Sequence, residues 1–334
     1  MKLATIDVGT NSAKLLISEL TPSGKLESLV EERRMIRLGE GVDAHGILRE
    51  SAIERLVQAL QGFRFTADQW QVERCAVAGT SASRDTGNKI VATIRERTGL
   101  LYEILSGEQE ADLSYEGAIA GLSNVADRIV TCDIGGGSTE IVEGMPDGRI
   151  LQRFSLDIGS VRITERYFSS QPPDPNELKG ATEFIKKSLA GLPFSRSQTG
   201  LLVGASDVHR LLLELQHELS SGELPIKFDR LNPNWKRLQG KEEHPDKLSC
   251  VQVKCWLEFL TRMTMSDVLA LDPGKLQGRA DVFPAAILIF LEVMNMLRQE
   301  SITVSPWGLC HGMALRIFKT GVIKQQQTRE SAQT

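Results

Sequence analysis

The segment Leu3–Ile17 reads LATIDVGTNSAKLLI, and Ile129–Val142 reads IVTCDIGGGSTEIV, the same arrangement 126 residues further on. Each is an apolar run, an Asp-x-Gly turn, a Ser and a second apolar run, so each predicts a strand, a tight turn and a strand paired as a β-hairpin. Asp7 falls on Asp133, Gly9 on Gly135 and Ser12 on Ser138. A shared Asp-x-Gly-x-x-Ser at one fixed separation is the mark of a duplicated unit. With 334 residues the chain is long for one hydrophobic core and comfortable for two.

Between and after the hairpins, strand and helix patterns alternate, which predicts α/β layers. Ser51-x-x-Glu54 reads as a capping box, with Ile53, Leu56, Val57 and Leu60 at helical spacing behind it. Val72–Val77 reads as a strand, and Ile90, Val91 and Ile94 line a helix after Asn88. Ser106-x-x-Gln109 is a second capping box and places Glu110 in the first turn of a helix that runs to about Gly121. Helices are expected over Val161–Phe168 and Glu177–Leu189, separated by the proline-rich loop Ser170–Asn176. A short buried strand, Leu201–Val203, leads to a helix over Asp207–Leu219. Helices Leu248–Met263 and Phe283–Leu297, a strand Ile302–Val304 and a helix Leu309–Phe318 complete the pattern. The polar tail 325–334 is expected to be disordered.

The second turn carries the chemistry. In Asp133-Ile134-Gly135-Gly136-Gly137-Ser138-Thr139-Glu140, three glycines let backbone N–H groups approach an anion with no Cβ in the way. The flanking carboxylates Asp133 and Glu140 are the hard oxygen ligands that Mg²⁺ takes while keeping several waters. Glycines and paired acids together, with an upstream duplicate, point to a phosphate–metal site. Arg33–Gly41 (RRMIRLGEG) is basic and reads equally as a groove wall or a solvated hairpin.

These motifs resemble the exopolyphosphatase / guanosine pentaphosphate phosphatase family, within the superfamily of actin, sugar kinases and chaperone ATPases, over Met1 to about Phe318. Asp7–Ser12 resembles the family's first phosphate loop, Thr80–Asn88 (TSASRDTGN) its arginine segment, Ser106–Ala111 (SGEQEA) its acidic segment and Asp133–Glu140 its second loop. Arg279-Ala280-Asp281 and Gly308–Gly312 are similar to later family segments. The resemblance implies two actin-like (ribonuclease H-like) domains with the ligand cleft between them. Together with the repeat it places domain I at 1–123 plus 311–322 and domain II at 124–310. It implies Glu110 as the carboxylate that activates the attacking water and Arg84 as the phosphate-binding arginine. Asp133 and Glu140 become the metal-linked pair, while Asp7, Gly9, Asn11 and Ser12 face Gly135, Gly136, Gly137 and Ser138 across the substrate. Two departures stand out. Gly204-Ala205-Ser206 replaces Gly-Gly-Thr, and Gly308-Leu309-Cys310-His311-Gly312 replaces Gly-Leu-Arg-Glu-Gly, which bears on how the distal part of a ligand is held.

The expected activity is metal-dependent removal of the terminal phosphate of inorganic polyphosphate. The alternative is a guanosine pentaphosphate 5′-phosphatase; an actin-like ATPase or kinase, or a silent phosphate-chain sensor, ranks lower. A net charge of −4 gives no global basic field, so a polyanion must be held by a local groove, and nucleic acid is not an expected partner. Five cysteines without C-x-x-C spacing read as reduced thiols of a cytoplasmic protein, with neither metal nor nucleophilic role for Cys310 and His311. Asp7 interrupts the first apolar run too early for a signal peptide, and Ala285–Leu297 is too short to span a bilayer, so no membrane partner is expected. A homodimer is left open.

Overall fold

The structure is a computed structural model that describes residues 1–87, 89–123, 126–194, 200–224 and 244–323. Its first unit runs β1 (Lys2–Val8), β2 (Ser12–Leu20), β3 (Leu26–Met35), α1 (Val42–His45), α2 (Glu50–Gln69), β4 (Arg74–Gly79), α3 (Ser81–Thr86), α4 (Lys89–Thr98), β5 (Tyr102–Ile104) and α5 (Gly107–Ala120). The second continues with β6 (Ile129–Ile134), β7 (Thr139–Gly144), β8 (Ile150–Leu156), α6 (Ser160–Tyr167), α7 (Pro175–Leu189), β9 (Leu201–Gly204) and α8 (Asp207–Ser221). It ends with β10 (Lys247–Ser249), α9 (Cys250–Leu260), α10 (Met265–Leu271), α11 (Pro273–Leu276), α12 (Phe283–Leu297) and β11 (Ser301–Val304), after which α13 (Leu309–Thr320) returns to pack on the first unit.

The two sheets repeat one topology. Sheet one has the order β3-β2-β1-β4-β5 and sheet two β8-β7-β6-β9-β11, with β10 added at its edge. In each, the hairpin and its third strand are antiparallel while the next two strands run parallel to the hairpin's first strand. The period-2 pattern explains why both faces are covered. Ala4, Ile6 and Val8 of β1 point to a core with α2 and α4, while Leu3 and Leu16 point to the opposite face and pack with α13. α5 carries Ala111, Tyr115 and Ala118 against sheet two. The far side of sheet two is closed by α7, α8, α9 and α12, whose apolar residues form the largest core. α5 and α13 are therefore the filling between two sheets, and the ends of the hairpins meet beside them. Among the described residues no helix is long and apolar enough to cross a membrane. The boundary at 124 and the tail 325–334 lie outside the described residues.

Two local expectations are corrected. Ser51 does not cap α2, which starts at Glu50 after Arg49 with no side-chain cap. Glu54, the expected partner, instead takes a two-pronged bond from Arg97 of α4 at 2.5 and 2.8 Å, and the buried stripe Ala52, Leu56, Leu60 and Phe63 fixes the helix. The helix expected from Leu248 starts two residues later, because Lys247–Ser249 pair with β11 and Ser249 then caps α9.

Candidate active site

Both hairpins end in the same turn, closed by the Gly9 N–H to Ser12 carbonyl bond at 3.0 Å and the Gly135 N–H to Ser138 carbonyl bond at 2.9 Å. Those two N–H groups are committed to the turns, so of the three glycine N–H groups expected to meet an anion, that of Gly135 is already taken. Gly136 and Gly137 are bare for a further reason. A Cβ on Gly136 would lie 2.9 Å from Thr10 Cβ, and one on Gly137 would lie 2.4 Å from Ser81 Oγ. The second turn must be stripped of side chains so that the first turn can nest into it.

A cavity of about 350 Å³ opens beside this junction. It is lined by Asp7, Gly9, Asn11 and Ser12 from the first turn, Asp133 and Gly135–Ser138 from the second, and Glu110 from α5. Asn11 also crosses to the second unit, its Nδ2 donating to the Gly278 carbonyl at 3.3 Å.

Glu110 stands in the first turn of α5, set there by the Ser106–Gln109 capping box. It is 8% exposed, and burial pushes its carboxyl up to about 7, with Asp7 and Asp133 adding to the rise against the opposing Arg84. Arg84 Nη1 donates to Glu110 Oε2 at 2.5 Å and to the Leu105 carbonyl at 3.2 Å, and Nη2 donates to Ser138 Oγ at 3.3 Å. Arg84 is not part of the cavity wall; it joins the Glu110 carboxylate to Ser138 of the second turn, both of which are. Glu140 does not line the cavity either. Its Oε1 accepts from Ser155 Oγ at 2.8 Å, and burial, with Glu110 and Asp133 adding, drives its carboxyl well up. Asp133 does face the cavity, steadied by the Ser114 hydroxyl, and burial lifts the nearby Asp7 to about 6. Asp7, Glu110 and Asp133 are a set of hard oxygen donors around one space, the composition that suits Mg²⁺ with retained water. They are not packed as tightly as an all-protein metal cage: among the described residues no three His, Cys, Asp or Glu side chains converge to that degree.

The other end of the cavity is cationic. Lys14, Arg33, Arg210 and Arg279 all line it. Asp207 sits among them, 3.1 Å from Lys14 Nζ and 2.6 Å from Arg33 Nη2, with Arg210 as a third partner. Burial alone would raise the Asp207 carboxyl, but Lys14, Arg210 and Arg33 hold it well below the usual range. Asp207 is the shared partner of this cluster, Asp7 also lies 3.8 Å from Lys14 Nζ, and Glu31 and Glu32 line the same cavity. Burial, with the repulsion of Arg33 added and Asp207 and Glu214 opposing, brings the Arg279 guanidinium down to about 10. Cys310 and His311 border this end. Burial pushes the Cys310 thiol up and His311 down to about 3, Arg210 and Lys14 adding to the latter. His311 stacks on Trp307 at 4.9 Å and meets Ser28 Oγ at 3.1 Å, so it is a neutral packing group. Ser206 of the altered turn engages His209 Nδ1 at 2.7 Å at the start of α8.

Comparison with known proteins gives a consistent picture. The profile of the Ppx/GppA phosphatase family matches residues 16–320. Exopolyphosphatase 2 of Mycobacterium tuberculosis is 30% identical over 334 aligned residues, covering 95% of this chain and 98% of that protein. The guanosine-5′-triphosphate,3′-diphosphate pyrophosphatase of Photobacterium profundum is 27% identical over 94% of this chain, which spans 59% of that protein. The crystal structure of an exopolyphosphatase from Cytophaga hutchinsonii superposes with a TM-score of 0.82 at 25% identity, covering 97% of this chain and 100% of that one.

Proposed function

The chain belongs to the Ppx/GppA phosphatase family, and from that premise we propose that it hydrolyses the terminal phosphate of inorganic polyphosphate. It is a phosphoanhydride hydrolase with two actin-like α/β domains. The observation that carries the reading is Glu110, buried and poised near neutral pH, in one cavity with both turns and, at the far end, four cations. A water at the terminal phosphorus gives its proton to Glu110 as the new P–O bond forms. The bond to the bridging oxygen breaks, and its electron pair leaves with the shortened chain, releasing orthophosphate. Lys14, Arg33, Arg210 and Arg279 are suited to the distal phosphates, where each charge-assisted contact holds a phosphate oxygen. Asp133 and Asp7 are the residues we assign to a hard divalent cation, which when bound would neutralise charge on the phosphoryl oxygens. Five cysteines, none of them in a disulfide, fit a cytoplasmic setting.

The test is orthophosphate release with Mg²⁺ from polyphosphate, guanosine pentaphosphate and ATP. The highest kcat/KM is expected on polyphosphate. A clear preference for guanosine pentaphosphate, the reading that the Photobacterium relative supports, would move the assignment there. Preference for ATP, or no release from any of the three, would overturn both.

A further inference from the structure

Behind the second turn, on α6, lies Arg162, whose side chain is 10% exposed and does not reach the main cavity. All three of its nitrogens are used. Nε donates to the Gly137 carbonyl at 2.9 Å, Nη1 to Asp43 Oδ1 at 2.5 Å and Nη2 to Asp85 Oδ2 at 2.8 Å. These acceptors come from three separate parts of the chain: the second glycine turn, α1 and α3. A planar guanidinium fixes direction as well as distance, so three bonds from one group set the relative position of the segments that carry them.

The position of Asp85 gives this arrangement a consequence for the reaction. Asp85 follows Arg84 on α3, and Arg84 bonds Glu110 and Ser138 on the cavity side. Two arginines therefore grip the same pair of segments from opposite faces. Arg84, from α3, reaches the second turn at Ser138, and Arg162, from α6 behind that turn, reaches back to α3. We propose that Arg162 is a positioning residue for the hydrolysis, holding α3 in register with the second turn so that Arg84 presents Glu110 to the attacking water. The proposal rests on Glu110 as the base. A displacement of about 1 Å at such a group costs on the order of 10²-fold in rate.

An ordinary interdomain ion pair would affect folding stability and leave the kinetic constants of the folded enzyme alone. Removal of Arg162 does not strand Asp43, which keeps Arg166 Nη2 at 2.6 Å, and Asp85 is one-third exposed and open to water. The full chain with Arg162→Met is therefore suited to steady-state assay on polyphosphate with saturating Mg²⁺, beside Arg162→Lys, Asp85→Ala, the double variant Arg162→Met/Asp85→Ala, and Glu110→Gln as control. The expected result is a kcat lowered roughly tenfold or more in Arg162→Met with KM within about twofold, and partial recovery in Arg162→Lys. Asp85→Ala should lose less, and adding it to Arg162→Met should cost nothing further, because the one contact it removes is already absent without Arg162. Unchanged kcat in folded Arg162→Met, a rise in KM alone, or losses that multiply would overturn the proposal. If Arg162→Met does not fold, Asp85→Ala decides alone: lower kcat at retained KM supports the role, and full kcat overturns it. An active Glu110→Gln would instead remove the base assignment, whatever the Arg162 variants do.

Discussion

The β1–β2 and β6–β7 hairpins share a register as well as a turn. Asp7 faces Lys14 across the first and Asp133 faces Glu140 across the second, each partner 126 residues from its counterpart. The backbone is repeated and the charge is inverted. In the first hairpin the partner is a cation that reaches Asp7 and Asp207 at the basic end of the cavity. In the second it is a buried acid beside Glu110, away from the cavity wall. The turns differ in the same complementary way, Thr10 filling the space that Gly136 leaves empty. A duplicated turn that keeps its geometry can carry different charges: the cation Lys14 on the first hairpin faces the basic end of the cavity, while the second hairpin lies beside Glu110, which α5 of the first unit supplies.

The sharpest way to break that contrast is to remove the base beside the second hairpin. Glu110→Gln keeps the shape and cannot take a proton, so kcat should fall by about 10²–10⁴-fold with KM little changed. Steady-state phosphate release checks it, and near wild-type turnover would end the base assignment. The matching change in the first hairpin is Lys14→Met. Loss of one charge-assisted contact, worth about 1.5–3 kcal/mol, should raise KM by roughly 10–100-fold with kcat within a few-fold. A fall in kcat at constant KM would show that the two hairpins do not differ as described.

The sequence carried the hairpins, the capping box at Ser106 and the residues of both turns, because each is a local pattern with one backbone solution. It did not carry the basic end of the cavity. Lys14 and Arg33 stand on the strands of the first hairpin, where an exposed cation and a cavity cation look alike, and only the arrival of α8 and of Arg279 makes them a cluster. A signal for Arg210 was present and unused. Gly79-Thr80-Ser81 after β4 has its echo in Gly204-Ala205-Ser206 after β9, and each is followed by an arginine, Arg84 or Arg210, that pairs with a buried carboxylate. The resemblance puts Arg84 and Glu140 at the site, and neither is part of the cavity wall: Arg84 bonds the lining residues Glu110 and Ser138, and Glu140 bonds Ser155. Depth within a site is decided by the layer of side chains in front, which local sequence does not carry.

That correction sets the next test, in the metal requirement. Asp133→Asn removes a charged oxygen from the cavity wall and should raise the Mg²⁺ concentration for half-maximal activity about tenfold. Glu140→Gln should leave it unchanged. Glu140 stands off the cavity wall, and an amide there keeps the shape and can still accept the Ser155 hydroxyl. Equal shifts in both variants would return Glu140 to the metal site.

The smallest expected effect reads the two hairpins against each other through Glu110. A general base works deprotonated, and with its carboxyl at about 7 the acidic limb of kcat/KM should fall off through that pH, roughly tenfold for each further unit of acid. After burial, Arg84 lowers the midpoint and Asp7 and Asp133 raise it. Removing a negative neighbour makes the proton easier to lose, so Asp7→Asn and Asp133→Asn should each move the midpoint downward. The charge on Asp7 acts on Glu110 more strongly than that on Asp133, so the first-hairpin variant should move further, although the base lies on the side of the second hairpin. Profiles at one saturating Mg²⁺ concentration check this, since a midpoint is read independently of the height of the curve. A few-fold gain in relative rate on the acid side is the expected size. An upward shift in Asp7→Asn, or a larger shift in Asp133→Asn, would mean that the first hairpin does not reach the base, and that the two hairpins are more separate than their shared cavity implies.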